Sequence, residues 1–265
     1  MSADKLLLVD GSNLLFQMFY GMPARILNRE GKAVHATVGF TGALLKIIKM
    51  TAPTHIAVLF DGEHENARAV LDAEYKANRI DYSTVAEEDC PFTQLPDIYA
   101  MLDYLGIKHA ETTECETDDW MAGYALTYDD MQIVISSFDS DYFQLITDNV
   151  AVLRYRGVKT AICTPDYVTE HFGISPEQYA DFKSLVGDGS DNIMGAYKVG
   201  SKTAADLLKK FGTLDNMLEN ADKIERASVR QAITSAAQRL RTNYKLIKLT
   251  DYSPLPYRND QLAPF

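Results

Sequence analysis

Three short apolar runs in this chain each stop at an aspartate. LLLV (Leu6 to Val9) ends in DGSN, IAVLF (Ile56 to Phe60) ends in DGE, and IVISS (Ile133 to Ser137) ends, after Phe138, in DSD. A continuous apolar run of this length, closed by acid and turn residues, reads as a strand buried on both faces, the kind found in parallel sheets. Helical patterns lie between the runs: Thr37 to Met50, Pro96 to Gly106 and Asp118 to Tyr128. Strands alternating with helices make βαβ units, so the chain is expected to be α/β, with a mostly parallel central sheet flanked by helices. VAVLRYR and TAICTP add two short strands with a turn at Gly157, and from about Pro176 the chain turns helical, interrupted by a glycine-rich stretch between Gly187 and Gly200. We therefore expect a core at 1–175 and a helical subdomain at 176–265.

The sheet pattern gives the acids an address. Asp10, Asp61, Asp139 and Asp141 each fall just beyond the carboxyl end of a predicted strand, the edge where open parallel sheets bind ligands. Glu116, Asp118 and Asp119 open a helix after another connection and can reach the same edge, and Asp188 and Asp191 follow in GDGSDN. Taken singly, an aspartate after a strand is most often a turn or cap residue, and acids at a helix start complement its dipole. Together they crowd charges that oppose one another's ionisation. Hard oxygen donors without His or Cys suit Mg2+ or Mn2+, and two such ions 3.5–4 Å apart serve in-line phosphoryl displacement.

Charge points the other way at first. The 265 residues carry a formal net charge of -11, unfavourable for a phosphate partner unless many acids are metal ligands and the basic residues cluster. They do cluster around GAYKVGSKT (Gly195 to Thr203). It resembles a Walker A loop, but Ser201 separates the second glycine from Lys202 and no strand precedes it. The stretch instead feeds a helix whose N-terminal amides, from Gly200 through Thr203, can hold one phosphate, flanked by Lys198, Lys202, Lys209 and Lys210. Cys90, Cys115 and Cys163 form no CxxC pair and read as reduced thiols of a cytoplasmic protein, and no run is long enough to span a membrane.

With these motifs in order, VDGSNLLF, FDGE, YKANR, ETDD, SFDSDYFQL and LVGDGSDNIMGAYKVGSKTAADLLKKFG, the chain resembles the bacterial and phage 5′→3′ exonuclease and flap endonuclease family, which includes the N-terminal nuclease domain of DNA polymerase I. The resemblance implies a PIN-like core with an arch at about 75–95 and a helix–three-turn–helix at about 185–212 that grips duplex DNA. It implies Asp10, Asp61, Glu116, Asp118, Asp119 and Asp139 as ligands of one Mg2+, and Asp141, Asp188 and Asp191 as ligands of a second. It makes Lys76 and Arg79 the catalytic cations at the scissile phosphate, with Arg68 beside them and Tyr75 stacked on a base. Lys198, Gly200, Lys202 and Thr203 would contact DNA, and carbonyls of Leu185, Val186, Met194, Ala196 and Val199 would hold K+. The expected protein is a monomeric, Mg2+-dependent, structure-specific 5′ nuclease acting on flapped or 5′-ended DNA. A PIN-type ribonuclease and a catalytically silent junction-binding protein are the alternatives.

Three departures stand out: Gln17 and Ser140 replace residues that are usually basic, and Met194 replaces a proline. Within the arch, Glu87, Glu88 and Asp89 are expected to repel a single strand. Arg226, Arg230, Arg239 and Arg241 read equally as a duplex track or a solvated helix face.

Overall fold

The computed structural model describes residues 4–62 and 67–262; Glu63 of FDGE and His64 lie outside them. In chain order, β1 (Lys5–Asp10) leads into α1 (Gly11–Gly21) and α2 (His35–Thr51), then β2 (His55–Phe60), α3 (Leu95–Tyr104), β3 (Lys108–Glu111) and α4 (Thr117–Thr127). β4 (Gln132–Ser136), β5 (Val150–Arg154) and β6 (Ala161–Cys163) complete a six-stranded sheet of order β3-β2-β1-β4-β5-β6. All pairings are parallel except β5 with β6.

Alternation along β1 explains why LLLV is apolar throughout. Leu7 and Val9 pack with α1, α2 and α3, whereas Leu6 and Leu8 face the cluster that holds α4 and the later helices. Both faces are covered, as in parallel sheets generally. β3 escaped the sequence reading because KHAE sits at the sheet edge, half exposed, and shows no apolar run. Between β2 and α3 the described chain forms only short 3-10 turns, at 67–70, 82–84, 87–89 and 91–94.

The helical part comprises α5 (Pro165–Phe172), α6 (Tyr179–Val186), α7 (Ser201–Phe211), α8 (Leu214–Glu219), α9 (Ala227–Ile247) and α10 (Asn259–Leu262). A two-residue hairpin, Gly187–Asp188 against Ile193–Met194, joins α6 towards α7. A Cβ at Gly195 would collide with the Leu185 carbonyl, so glycine alone lets these two segments run side by side. Buried Asn243 of α9 clamps them, donating Nδ2 to the carbonyls of Ser184 (3.1 Å) and Met194 (2.9 Å). Met194, where a proline would stiffen the turn, is 71 % exposed.

Candidate active site

β1 pairs with β2 on one side and with β4 on the other, and the connection that leaves β1 runs to β2 while the one that leaves β4 runs the opposite way, to β5. That divergence opens a crevice. Asp10 lies in it as the last residue of β1 and as N-cap of α1, accepting from the Asn13 amide at 2.9 Å. Its other oxygen accepts from Ser137 Oγ (2.9 Å) and Tyr142 Oη (3.3 Å). Asn13 Oδ1 in turn accepts from Phe138 N (3.0 Å), and Asp139 Oδ1 from Asp141 N (2.9 Å), which fixes the SFDSD loop beside Asp10. Asp61, just past β2, accepts from the Thr117 amide at 2.9 Å and thereby ties α4 to the same edge. Asn13, Ser137 and Tyr142 stand inside motifs already noted, yet only the fold reveals what they hold.

The carboxylates divide into two flanks around this centre. On the α4 flank stand Glu116, Asp118 and Asp119. Asp119 Oδ2 accepts from the Glu116 amide (3.1 Å), so the capping role and the clustering coincide. Arg68 reaches in among all three, bonding Glu116, Asp118 (2.8 Å) and Asp119 (2.6 Å). Lys76 Nζ also pairs with Glu116.

On the opposite flank Asp141, Asp188 and Asp191 bring carboxylate oxygens within 4.8 Å of one another, the one such triplet among the described residues. Lys183, from α6, sits between two of them, 2.6 Å from Asp141 Oδ1 and paired also with Asp188, while Arg79 pairs with Asp191 at 2.8 Å. Lys183 lies in an ordinary helical stretch, and no motif marks it in the sequence. Only the packing of α6 against the SFDSD loop exposes its role.

Burial and crowding set the electrostatics. Burial, then the Asp61 charge, pushes Asp10 up to about 7. Burial likewise raises Asp118 to about 8, against the pull of Arg68. It raises Asp141 to about 7, with Asp139 adding and Lys183 opposing. Burial also opposes ionisation of Glu116, but Lys76 and Arg68 outweigh it and hold that carboxyl below its usual range. Asp188 is held low in the same way by Lys183. Asp118 Oδ1 is buried with no hydrogen-bond partner, an acceptor that a cation would satisfy. All-oxygen donors, an orphaned buried acceptor and carboxyls held near neutral fit hard divalent cations.

The YKANR turn docks on the hairpin. Lys76 takes a left-handed φ of +57°, and its amide donates to the Asp191 carbonyl at 3.0 Å. Asn78 donates to Gly189 O (3.0 Å) and Asn192 to Glu74 O (2.8 Å). A left-handed lysine costs about 1–3 kcal/mol and persists only where the surroundings impose it.

This docking corrects one expectation. Tyr75 does not present a face for base stacking: it is 6 % exposed, packs with Ala180, Ile193, Leu246 and Ile247, and donates its hydroxyl to Glu116 at 3.1 Å. Apolar burial of the ring, together with this hydroxyl bond, outweighs display at the surface. Arg68 likewise meets carboxylates and not an open cleft.

Elsewhere the structure redistributes the basic residues. Gly200 caps α7, with Lys198 and Lys202 exposed at that end and Thr203 half-buried. Lys209 and Lys210 do not flank this end but lie in the last turn, where Lys210 binds Glu225 and the Lys223 carbonyl. Arg239 donates to Gly195 O (3.0 Å), Arg230 to Ile224 O (2.9 Å), and Arg241 pairs with Asp215 (3.6 Å). Arg25 pairs with Glu88 and Asp89, which offsets part of the negative charge of Glu87, Glu88 and Asp89. Gln17 donates to the Tyr155 carbonyl at 2.7 Å. The carbonyls named for K+ belong to one turn, where Leu185 O already accepts from Ala196 N (2.8 Å) and Ala196 O from Val199 N (3.1 Å).

Two family models cover the chain: the 5′-3′ exonuclease N-terminal resolvase-like domain over residues 5–173, and the 5′-3′ exonuclease C-terminal SAM fold over residues 174–264. The chain belongs to the 5′-3′ exonuclease family. Among curated relatives, the thermostable DNA polymerase I of Thermus thermophilus is 35 % identical over 253 residues, 95 % of this chain and 29 % of that polymerase. DNA polymerase I of Streptococcus pneumoniae is 32 % identical over 262 residues, 96 % of this chain and 29 % of its own length. The chain thus spans under a third of these relatives. The fold matches the T5 D15 protein co-crystallised with metal ions, at TM-score 0.76 and 22 % identity, covering 92 % of this chain and 89 % of that one. It also matches the catalytic core of Rad2 in complex with DNA substrate, at TM-score 0.61 and 15 % identity, covering 98 % and 85 %. No helix among the described residues is long and apolar enough to cross a membrane.

Proposed function

We propose that the chain is a structure-specific 5′ nuclease that hydrolyses phosphodiesters in flapped or 5′-ended DNA and uses Mg2+, with Mn2+ as a substitute. The observation that carries this reading is that Asp10, Asp61, Asp139 and Asp141 beyond the sheet's carboxyl edge stand together with Glu116, Asp118 and Asp119 at the start of α4 and with Asp188 and Asp191 of the hairpin, with Lys76 and Arg79 among them. Family membership, polymerase I relatives and a structural neighbour described with DNA substrate support it.

Asp10, Asp61, Asp139 and the three α4 acids would hold one ion, and Asp141, Asp188 and Asp191 the other. Bound divalent ions supply the positive charge that activates water and steadies an in-line displacement at phosphorus. The protein's own part is placement. Ser137, Tyr142 and Asn13 orient Asp10, and the docked YKANR turn aims Lys76 and Arg79 at the same cleft, where they meet charge developing on a scissile phosphate. Residues 1–175 act as the catalytic core with its arch at 75–95, and 176–265 as the duplex grip. There the α7 N-terminus from Gly200 to Thr203, with Lys198 and Lys202, binds one backbone phosphate. The turn carbonyls of Leu185, Val186, Met194, Ala196 and Val199 are the candidate K+ donors, and the working unit is a monomer.

A 5′-labelled DNA flap, its RNA-flap counterpart and a blunt duplex, each with Mg2+ or EDTA, test the reading. The DNA flap should be cut in Mg2+ alone. Cutting confined to the RNA flap, or tight binding of the DNA flap without cutting, overturns it.

A further inference from the structure

The Asp141–Asp188–Asp191 flank has one counter-ion on a packed α-helix, Lys183, and the other cations of the site come from a single segment. Arg68, Lys76 and Arg79 all come from the 67–79 segment, which forms turns and no regular helix among its described residues. Arg68 and Lys76 counter the α4 flank with 12 % and 16 % of their side chains exposed, and Arg79, 56 % exposed, pairs with Asp191 on the other flank. Lys183 instead stands on α6, a helix packed against α7 and α9, and is only 7 % exposed. Its ammonium is hydrogen-bonded to Asp141 and Asp188, with Ser140 Oγ at 3.5 Å. It fills the space among the oxygens that would ligate an ion.

We propose that Lys183 is the resident cation of the Asp141–Asp188–Asp191 site, one that a divalent ion must displace, so that this lysine sets the gap between first and second metal affinities. The inference rests on reading the triplet as the second metal site. Its physical basis is charge. Three carboxylates with Lys183 and Arg79 leave one net negative charge. A divalent ion added with Lys183 in place would leave a buried pocket net positive, with like charges in direct contact at low dielectric. An ion bound at about 2.1 Å from each oxygen also claims the volume the ammonium now fills. Entry at this flank therefore requires the lysine to leave a packed helix wall. On the α4 flank, Arg68 and Lys76 oppose the six carboxylates assigned to the first ion, which leaves four net negative charges there against one at the triplet. The α4 flank fills first. The Lys183 flank fills at higher concentration, so the lysine keeps the second position empty until the ion supply is sufficient.

The test uses the full chain without DNA. Free Mn2+ counted by electron paramagnetic resonance should show two binding steps in the wild type, the second at least tenfold weaker. Lys183→Met, close in volume and uncharged, should tighten the second step about tenfold or more, drawing the two together. In the wild type, the 15Nζ resonance of Lys183 should stay unchanged through the first equivalent of diamagnetic Mg2+ and shift or vanish through the second. A second step in Lys183→Met that is unchanged or weaker overturns the proposal. So does a Lys183 resonance indifferent to Mg2+, which decides the matter if the variant does not fold. Neither readout involves cleavage, so a wild type that binds metal in this order yet leaves DNA flaps intact would sink the nuclease reading and not this one.

Discussion

Glu116, Asp118 and Asp119 on one side of the cleft and Asp141, Asp188 and Asp191 on the other present the same chemistry in different mechanical settings. The first trio caps a helix and is countered from a turn-rich segment some fifty residues earlier in the chain, with Arg68 and Asp118 separated by 50 positions. The second is countered by Lys183, only five positions from Asp188 and on α6, and by Arg79 of that same turn-rich segment. Equal numbers of acids therefore do not make equal sites. What distinguishes them is that the second has a counter-ion standing on a helix packed against α7 and α9.

The most drastic way to break the comparison is to remove a carboxylate near its centre. Asp119→Asn or Asp139→Asn should lower flap cleavage by at least about a thousandfold, while binding holds or tightens because one phosphate-repelling charge is gone. Single-turnover cleavage beside gel-shift affinity measures both. A variant cutting at near wild-type rate would remove that residue from the metal centre.

Lys76 probes the cations carried by the 67–79 segment. Lys76→Ala should slow single-turnover cleavage by about a hundredfold and weaken binding far less, since its partner is charge that develops in the transition state. Matching losses in both would make it a plain backbone contact.

A pH series sharpens the contrast without mutation. Asp10, Asp118 and Asp141 are raised to about 7, 8 and 7 from an ordinary 3.8. Between those limits the native state holds protons that the unfolded chain has released. Metal-free stability should therefore fall as pH rises from 5 to 8. Glu116 and Asp188 are lowered, so their contribution is present above the ordinary carboxylate range and fades only on acidification below it, outside this window. Saturating Mg2+ binds the deprotonated forms and should abolish the decline or reverse it. Thermal midpoints in EDTA and in Mg2+ across that range check the sign, by several degrees. A metal-free midpoint that climbs steadily from pH 5 to 8 contradicts the burial argument.

The smallest effect lies away from the chemistry. Lys202→Ala should weaken flap and plain duplex alike, flatten the slope of log affinity against log salt by about one unit, and leave cleavage of saturating substrate unchanged. An unaltered slope with full affinity would mean the α7 N-terminus does not touch DNA. Exchanging K+ for a poorly fitting monovalent ion at constant ionic strength should mimic the loss if the turn carbonyls hold that ion.

Local patterns in the chain specify the sheet and the address of the acids. A short run apolar on every residue and closed by turn residues, such as LLLV before DGSN, reads as a strand covered on both faces, and a strand closed by Asp delivers that carboxylate to the sheet's carboxyl edge. These are local rules, carried by neighbours in the chain. The polar edge strand β3 fell outside them because it buries neither face. Tertiary structure alone decided which cation meets which carboxylate. Arg68 could have faced solvent or a phosphate, and Tyr75 could have offered its ring to a base. Both are instead drawn in, because a guanidinium among three acids and a ring packed on Ile193 and Leu246 lower the free energy more than exposure does. Lys183 carries no mark in its own stretch of sequence. It becomes a counter-ion only when α6 lays it between an aspartate 42 positions earlier and another on the hairpin that follows. Such pairings depend on distances set by packing, and packing is a property of the whole chain.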